Sequence, residues 1–207
     1  MTIADQLRGK IVAIYRAPQD ADRLIEHAEM LREHGVDTFE ITVESPTGRQ
    51  ALVKLTEWAS PECLIGAGTV TTPEQLDFVK HQGAQFAVSP GLSPRLIDHA
   101  RSIQLPYIPG VLTPTEVMTA QALDVQLVKL FPAGSMGSGY LKTLRAPFPN
   151  MEFMVTGGLE PSEAAIYFAA GAHSIGMGRL SDAEQQSELF VKSNEGKAQT
   201  LVVGSPS

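Results

Sequence analysis

The sequence predicts an α/β protein, a single (β/α)8 barrel of the TIM type, on three observations. Short apolar runs alternate with amphipathic stretches eight times along the chain. The runs are continuously apolar rather than alternating, as parallel strands buried on both faces require. All eight units fit within about 180 residues, the economy of a compact barrel.

The runs cover residues 11–15, 38–43, 63–67, 86–88, 106–108, 126–131, 152–155 and 172–176. After the first, Leu24, Ile25, Ala28 and Leu31 form the apolar stripe of a helix, with Glu26, Glu29 and Arg32 on its other faces. Helix starts are marked by Thr72-Pro73-Glu74 and Ser93-Pro94-Arg95, a capping residue before a proline. Thr113-Pro114-Thr115-Glu116 adds a Glu three residues past its cap, the spacing of a capping box. Gly35, Gly83 and Gly171 mark helix stops before the next strand. A doubly wound open sheet is the alternative. Its dinucleotide fingerprint belongs after the first strand, and Ala13-Ile14-Tyr15-Arg16-Ala17 contains no glycine.

Nothing divides the chain, so residues 1–193 are expected to form the barrel. Residues 194–207, polar and rich in small residues apart from Leu201-Val202-Val203, are expected to be a peripheral or poorly ordered tail. The 207 residues are 43% hydrophobic and 19% charged, with a formal net charge of -7. Such a surface does not attract nucleic acid or an anionic membrane. No stretch approaches the roughly 20 apolar residues of a membrane span, and the N-terminus carries no cleavage signal, so a cytoplasmic protein is expected. The single cysteine, Cys63, excludes an internal disulfide and cysteine zinc sites, and its apolar setting predicts a small buried side chain. None of the five histidines pairs with a carboxylate at metal-ligand spacing, and no metal is expected.

In a barrel the chemistry sits at the C-terminal ends of the strands. Two charges interrupt apolar strands: Glu40 between Phe39 and Ile41, and Lys129 between Val128 and Leu130. Burial favours the neutral form of an amine, and a neutral amine forms an imine with a ketone. A nearby carboxyl can shuttle protons to and from that intermediate. The competing reading is a structural ion pair, or a lysine reaching past the barrel rim. The seventh and eighth strands run into Thr156-Gly157-Gly158 and Gly176-Met177-Gly178-Arg179. Such loops bind phosphate in barrels of this kind, Arg179 adding a bidentate contact, although a double glycine is also an ordinary turn. Arg16, after the first strand, suits a carboxylate, and Thr69, after the third, suits a carbonyl or a water.

With Arg16 ending a strand, Glu40-Ile41-Thr42, Gly66-Ala67-Gly68-Thr69-Val70, Val88-Ser89-Pro90-Gly91-Leu92, Pro109-Gly110-Val111, Thr113-Pro114-Thr115-Glu116, Lys129-Leu130-Phe131-Pro132 and Thr156-Gly157-Gly158 in this order, residues 11 to 180 resemble the 2-keto-3-deoxy-6-phosphogluconate (KDPG) and 4-hydroxy-2-oxoglutarate aldolases. The resemblance implies a class I aldolase that cleaves a 2-keto-4-hydroxy acid reversibly to pyruvate and an aldehyde, for KDPG glyceraldehyde 3-phosphate. It implies that Lys129 forms the imine and that Glu40 is the general acid and base, through a water. It implies that Arg16, Thr69 and Thr156 hold the pyruvoyl part, that Pro90 and Phe131 shape the pocket, and that Gly157, Gly158, Gly176 and Gly178 line the phosphate end. It further implies a homotrimer with no metal or organic cofactor. Two positions depart from the family's pattern: Glu44, where members acting on KDPG often carry Arg, and Arg179, where Ser often follows the glycines. They leave three substrates open: KDPG, its galactonate epimer and unphosphorylated 4-hydroxy-2-oxoglutarate. A non-catalytic phosphosugar-binding barrel has no use for both Lys129 and Glu40. An interaction protein finds support only in Leu201-Val202-Val203.

Overall fold

The computed structural model describes residues 1–16, 21–178, 180, 190–194 and 197–202. A parallel sheet winds into a barrel with helices outside it. Its strands are β1 (Ile11–Tyr15), β2 (Thr38–Thr42), β3 (Leu64–Gly68), β4 (Phe86–Val88), β5 (Tyr107–Ile108), β6 (Gly110–Val111), β7 (Leu127–Leu130), β8 (Glu152–Thr156) and β9 (Ser174–Met177). The helices are α1 (Ile3–Leu7), α2 (Ala21–Glu33), α3 (Pro46–Trp58), α4 (Pro73–His81), α5 (Pro94–Ser102), α6 (Pro114–Ala122), α7 (Ser138–Arg145) and α8 (Ala164–Ala169).

The sheet runs β5-β4-β3-β2-β1-β9-β8-β7-β6. Its two ends, β5 and β6, are halves of one barrel strand split at Pro109. Proline has no N–H and cannot donate to a ladder. The Pro109 carbonyl still accepts from the Lys129 amide at 2.8 Å, so the ring closes through it. The strand order is that of a (β/α)8 barrel and excludes the doubly wound sheet. Each predicted run matches a strand to within two residues.

The caps form as expected. Thr72 and Thr113 each close a capping box, with Gln75 and Glu116, and the Ser93 hydroxyl accepts from the Leu96 amide. Gly35, Gly83 and Gly171 take the left-handed backbone that ends a helix, at φ of 86°, 81° and 96°. Cys63 is buried with a free thiol.

Ladder partners in parallel strands share a face, so the register separates an inner layer from an outer one. Val12, Leu64, Phe86, Val88, Ile108, Leu127 and Met154 fill the barrel and meet Ala4 and Leu7 of α1 beneath it. Phe39, Ile41, Leu52, Leu55, Ile65, Leu76, Phe153 and Tyr167 pack between barrel and helices. The continuous apolar runs therefore hide a period of two. Helix α1 is an addition to the expected fold; Thr2 and Asp5 cap it reciprocally, and His173 Nε2 donates to the Ala4 carbonyl at 2.7 Å. Beyond the barrel, β10 (Phe190–Asn194) and β11 (Lys197–Val202) pair as an antiparallel hairpin. The expected boundary between residues 193 and 194 falls inside β10.

Candidate active site

Glu40 on β2 and Lys129 on β7 face each other across the barrel. Four steps separate their strands in either direction around the ring, counting β5 and β6 as one. The lysine Nζ stands 3.6 Å from Glu40 Oε1, with 8% and 1% of the two side chains exposed. That distance is an ion pair longer than a hydrogen bond, and neither Glu40 oxygen accepts a hydrogen bond from a protein group among the described residues. A carboxylate so buried and so little satisfied is costly unless the site uses it. Lys129 Nζ also lies 5.5 Å from the centroid of the Phe131 ring, two residues on.

Space for a ligand comes from glycine. Four polar side chains line the upper interior, and each has a glycine as its ladder partner: Glu40 beside Gly66, Thr42 beside Gly68, Lys129 beside Gly110, Thr156 beside Gly176. A Cβ on Gly68 would collide with the Glu40 carboxyl, and one on Gly110 with the Pro90–Gly91 backbone. The Phe86 ring takes the room over Gly66, its ladder partner. Thr42, Gly68 and Thr156 are the last residues of their strands, so the hollow lies toward the C-terminal ends.

The remaining expected residues that the structure describes lie at or just past the ends of the strands. Thr156 is buried at the end of β8, and Gly157 and Gly158 follow it. Thr69 directly follows β3 with φ of 58°, a rare backbone for a β-branched residue. Exposed Pro90 follows β4 by two residues, with its backbone lying against Gly110. Arg16 is exposed just past β1. Gly176 is buried within β9, and Gly178 is exposed just beyond it. Arg179 lies outside the described residues. The Ala133 amide donates to the Thr156 carbonyl at 2.9 Å and the Gly134 amide to the Gly157 carbonyl at 2.8 Å. The loop after Lys129 is thereby tied to the glycine loop after β8. Buried Tyr167 of α8 adds a hydrogen bond to the Ala133 carbonyl at 3.1 Å.

Thr42, Gly68 and Gly110 stand within the quoted sequence motifs, but the sequence assigns them no role. A step of two from Glu40 leads to Thr42; the glycines become visible only once the register is known. At the rim, Tyr15 and His27 join β1 to α2 through a 2.8 Å contact of the Tyr15 hydroxyl with His27 Nδ1. Burial raises the tyrosine hydroxyl and lowers the imidazole, so the pair stays neutral. Two cavities of about 220 and 440 Å³ lie at the other end of the barrel, both lined by Thr2, Ala4, Asp124, Val125 and Gln126. They do not reach Lys129 or Glu40, which sit on the side where barrel enzymes work. Among the described residues, no three His, Cys, Asp or Glu side chains are grouped to hold a metal ion, and no helix is long and apolar enough to cross a membrane.

A buried amine opposed to a buried carboxyl at the C-terminal mouth of a (β/α)8 barrel is the equipment of an imine-forming carbon–carbon lyase. Residues 3–190 match the family model "KDPG and KHG aldolase", and the chain belongs to that family of aldolases, which are carbon–carbon lyases. It is 31% identical over 196 residues to the 2-dehydro-3-deoxy-6-phosphogalactonate aldolase of Escherichia coli (strain K12), covering 90% of this chain and 95% of that protein. It is 34% identical over 158 residues to the 2-dehydro-3-deoxy-phosphogluconate aldolase of Haemophilus influenzae, covering 76% and 74%. Among solved structures, KDPG aldolase from Legionella pneumophila with pyruvate captured as a covalent carbinolamine superposes with a TM-score of 0.78 at 29% identity, covering 85% and 86%.

Proposed function

We propose that the protein cleaves a 2-keto-3-deoxy-6-phospho sugar acid reversibly to pyruvate and glyceraldehyde 3-phosphate, with Lys129 as the imine-forming amine. The observation that carries this reading is the opposed pair of Lys129 and Glu40 in a hollow bounded by glycines.

The Lys129 amine attacks C2 of the keto acid. Glu40, through a water, gives the proton with which the carbinolamine hydroxyl leaves as water, and a protonated imine remains. Glu40, through a water, takes the proton of the C4 hydroxyl. The C3–C4 bond breaks, its electron pair enters the imine to give an enamine, and C4 departs as the aldehyde. Glu40 returns the proton to C3, and water hydrolyses the imine to pyruvate and free Lys129. Arg16, Thr69 and Thr156 hold the pyruvoyl carboxylate and carbonyl. Pro90 and Phe131 wall the pocket. Gly157, Gly158, Gly176, Gly178 and Arg179 receive the phosphate, where backbone amides meet an anion closely. The galactonate epimer and 4-hydroxy-2-oxoglutarate use the same chemistry. Relatives named for phosphogalactonate and for phosphogluconate both support a phosphorylated substrate.

The test is turnover of KDPG by the wild type and by Lys129→Ala. The variant is expected to lose activity entirely, and near-normal turnover would reject the assigned amine.

The same reading includes a homotrimer in the cytoplasm. A solved cage built by fusing symmetric oligomeric domains shares this fold at a TM-score of 0.75 and 31% identity, which favours a symmetric oligomer. Light scattering on the purified chain checks the trimer, and fractionation of the source cells checks the compartment.

A further inference from the structure

The Ala133 peptide is held from two sides. Its amide donates to the Thr156 carbonyl at 2.9 Å, which ties it to β8. Its carbonyl accepts from the Tyr167 hydroxyl at 3.1 Å, which ties it to α8. The same oxygen accepts from the Met136 and Gly137 amides at 3.0 Å each, closing the turn into α7. Tyr167 and Ala133 are each 1% exposed, so the bond between them is shielded from water. Phe131 stands two residues before Ala133, with Pro132 between them, whose ring fixes φ. The Phe131 ring lies against the Gly157 backbone: a Cβ on Gly157 would come within 2.7 Å of it. The Lys129 Nζ is 5.5 Å from the centroid of the same ring.

We propose that Tyr167 is a positioning residue for the imine-forming step: by anchoring Ala133 to α8 it holds the Phe131 ring where that ring confines the Lys129 amine. The inference rests on the imine reading above. A lysine side chain has four rotatable bonds, so the approach of its amine to a keto carbon depends on what stands around it. From β2 the neighbour is Glu40, at 3.6 Å. From the end of the lysine's own strand it is the Phe131 ring. That ring is placed by its contact with Gly157 and by the anchoring of Ala133, and Tyr167 supplies the part of the anchor that comes from α8. Tyr167 thus acts through Ala133 and Phe131, not on the substrate. A buried tyrosine hydroxyl also needs a partner for its own sake. A bond that served only that need would contribute stability and have no link to Phe131.

The experiment follows the rate at which borohydride traps pyruvate on Lys129, with pyruvate varied, in the wild type, Tyr167→Phe, Phe131→Leu and the double variant. Tyr167→Phe keeps the ring and removes only the hydroxyl. Its maximal trapping rate is expected to fall about fivefold, the scale of one neutral hydrogen bond. The pyruvate concentration that gives half of that rate should not change, because Arg16, Thr69 and Thr156, assigned to the pyruvoyl part, stay in place. In the Phe131→Leu background the same substitution should leave the rate unaltered, since its route to the amine is gone. Phe131→Met takes the place of Phe131→Leu should the latter not fold. A wild-type maximal rate in Tyr167→Phe overturns the proposal, whether or not the half-saturating concentration moves. An equal loss in both backgrounds overturns it too, and would mean that the bond serves stability alone. A wild type that traps no pyruvate refutes the aldolase reading itself. A wild type that traps it on Lys129, no faster than Tyr167→Phe does, refutes only the role of Tyr167.

Discussion

The Glu40 carboxyl occupies the space that a side chain on Gly68 would need: a Cβ there would strike Oε1, Cδ and Cγ of the glutamate. Gly68 sits on the neighbouring strand, two residues beyond Gly66, the ladder partner of Glu40. The position of the site's carboxyl is therefore set from outside its own strand.

Gly68→Ala is expected to displace that carboxyl while leaving Lys129 untouched. The kcat should fall about a hundredfold, the scale of an ångström's misplacement of a reacting group. Exchange of the pyruvate methyl protons with deuterated solvent, followed by NMR, should slow in parallel, because it needs the carboxyl at C3. Unimpaired exchange in a folded Gly68→Ala protein would mean that another group moves the proton.

Glu40→Gln should lower kcat by about 10²- to 10⁴-fold, the usual contribution of a positioned acid–base group. Pyruvate should still be trapped on Lys129 by borohydride, since imine formation and carbon–carbon cleavage are separate steps. If trapping and cleavage fail together while the fold is intact, Glu40 serves to hold the lysine rather than to move protons.

Prolonged treatment with a metal chelator should leave kcat unchanged. The imine nitrogen accepts the electron pair released on cleavage, so the mechanism has no step for a Lewis acid. A loss of activity that returns with added divalent metal would contradict this mechanism.

The capping box of α6 predicts a pH-dependent stability. Burial pushes the Glu116 carboxyl up, but hydrogen bonds from the Leu112 and Thr113 amides and the Thr113 hydroxyl outweigh it and leave the carboxyl below its ordinary value. A lowered carboxyl stabilises the fold above its unfolded value, near 4.5, and that contribution is lost as pH falls through the folded one. Thr113→Ala should cost about 1 kcal/mol at neutral pH. Glu116→Gln should destabilise at neutral pH, and denaturant titrations should show its difference from the wild type closing in acid. A difference independent of pH would show that the charge contributes nothing.

The alternation of runs and helices was legible because both faces of a barrel strand are apolar, and turn chemistry marks where each helix starts. Lys129 and Glu40 stood out because charges are rare in such strands. Their opposition across the barrel was not legible, since it depends on the order in which strands join. Nor was the role of Gly68 or Gly110, because a glycine in a strand reads only as weakness until its neighbour in register is known. Helix α1 escaped notice through its length of five residues, although Thr2 and Asp5 already had the spacing of a capping box. The strand split at Pro109 reads as a run ending at residue 108; its second half, Gly110–Val111, is apparent only from its pairing with β7.

The proposed chemistry turns on an imine between Lys129 and a 2-keto acid. Incubation of the folded protein with pyruvate, reduction with borohydride and mass mapping of the peptides tests it directly. One reduced pyruvate adduct per chain is expected, on Lys129, and none in Lys129→Ala. No adduct, or an adduct that maps to another lysine and persists in Lys129→Ala, would contradict it.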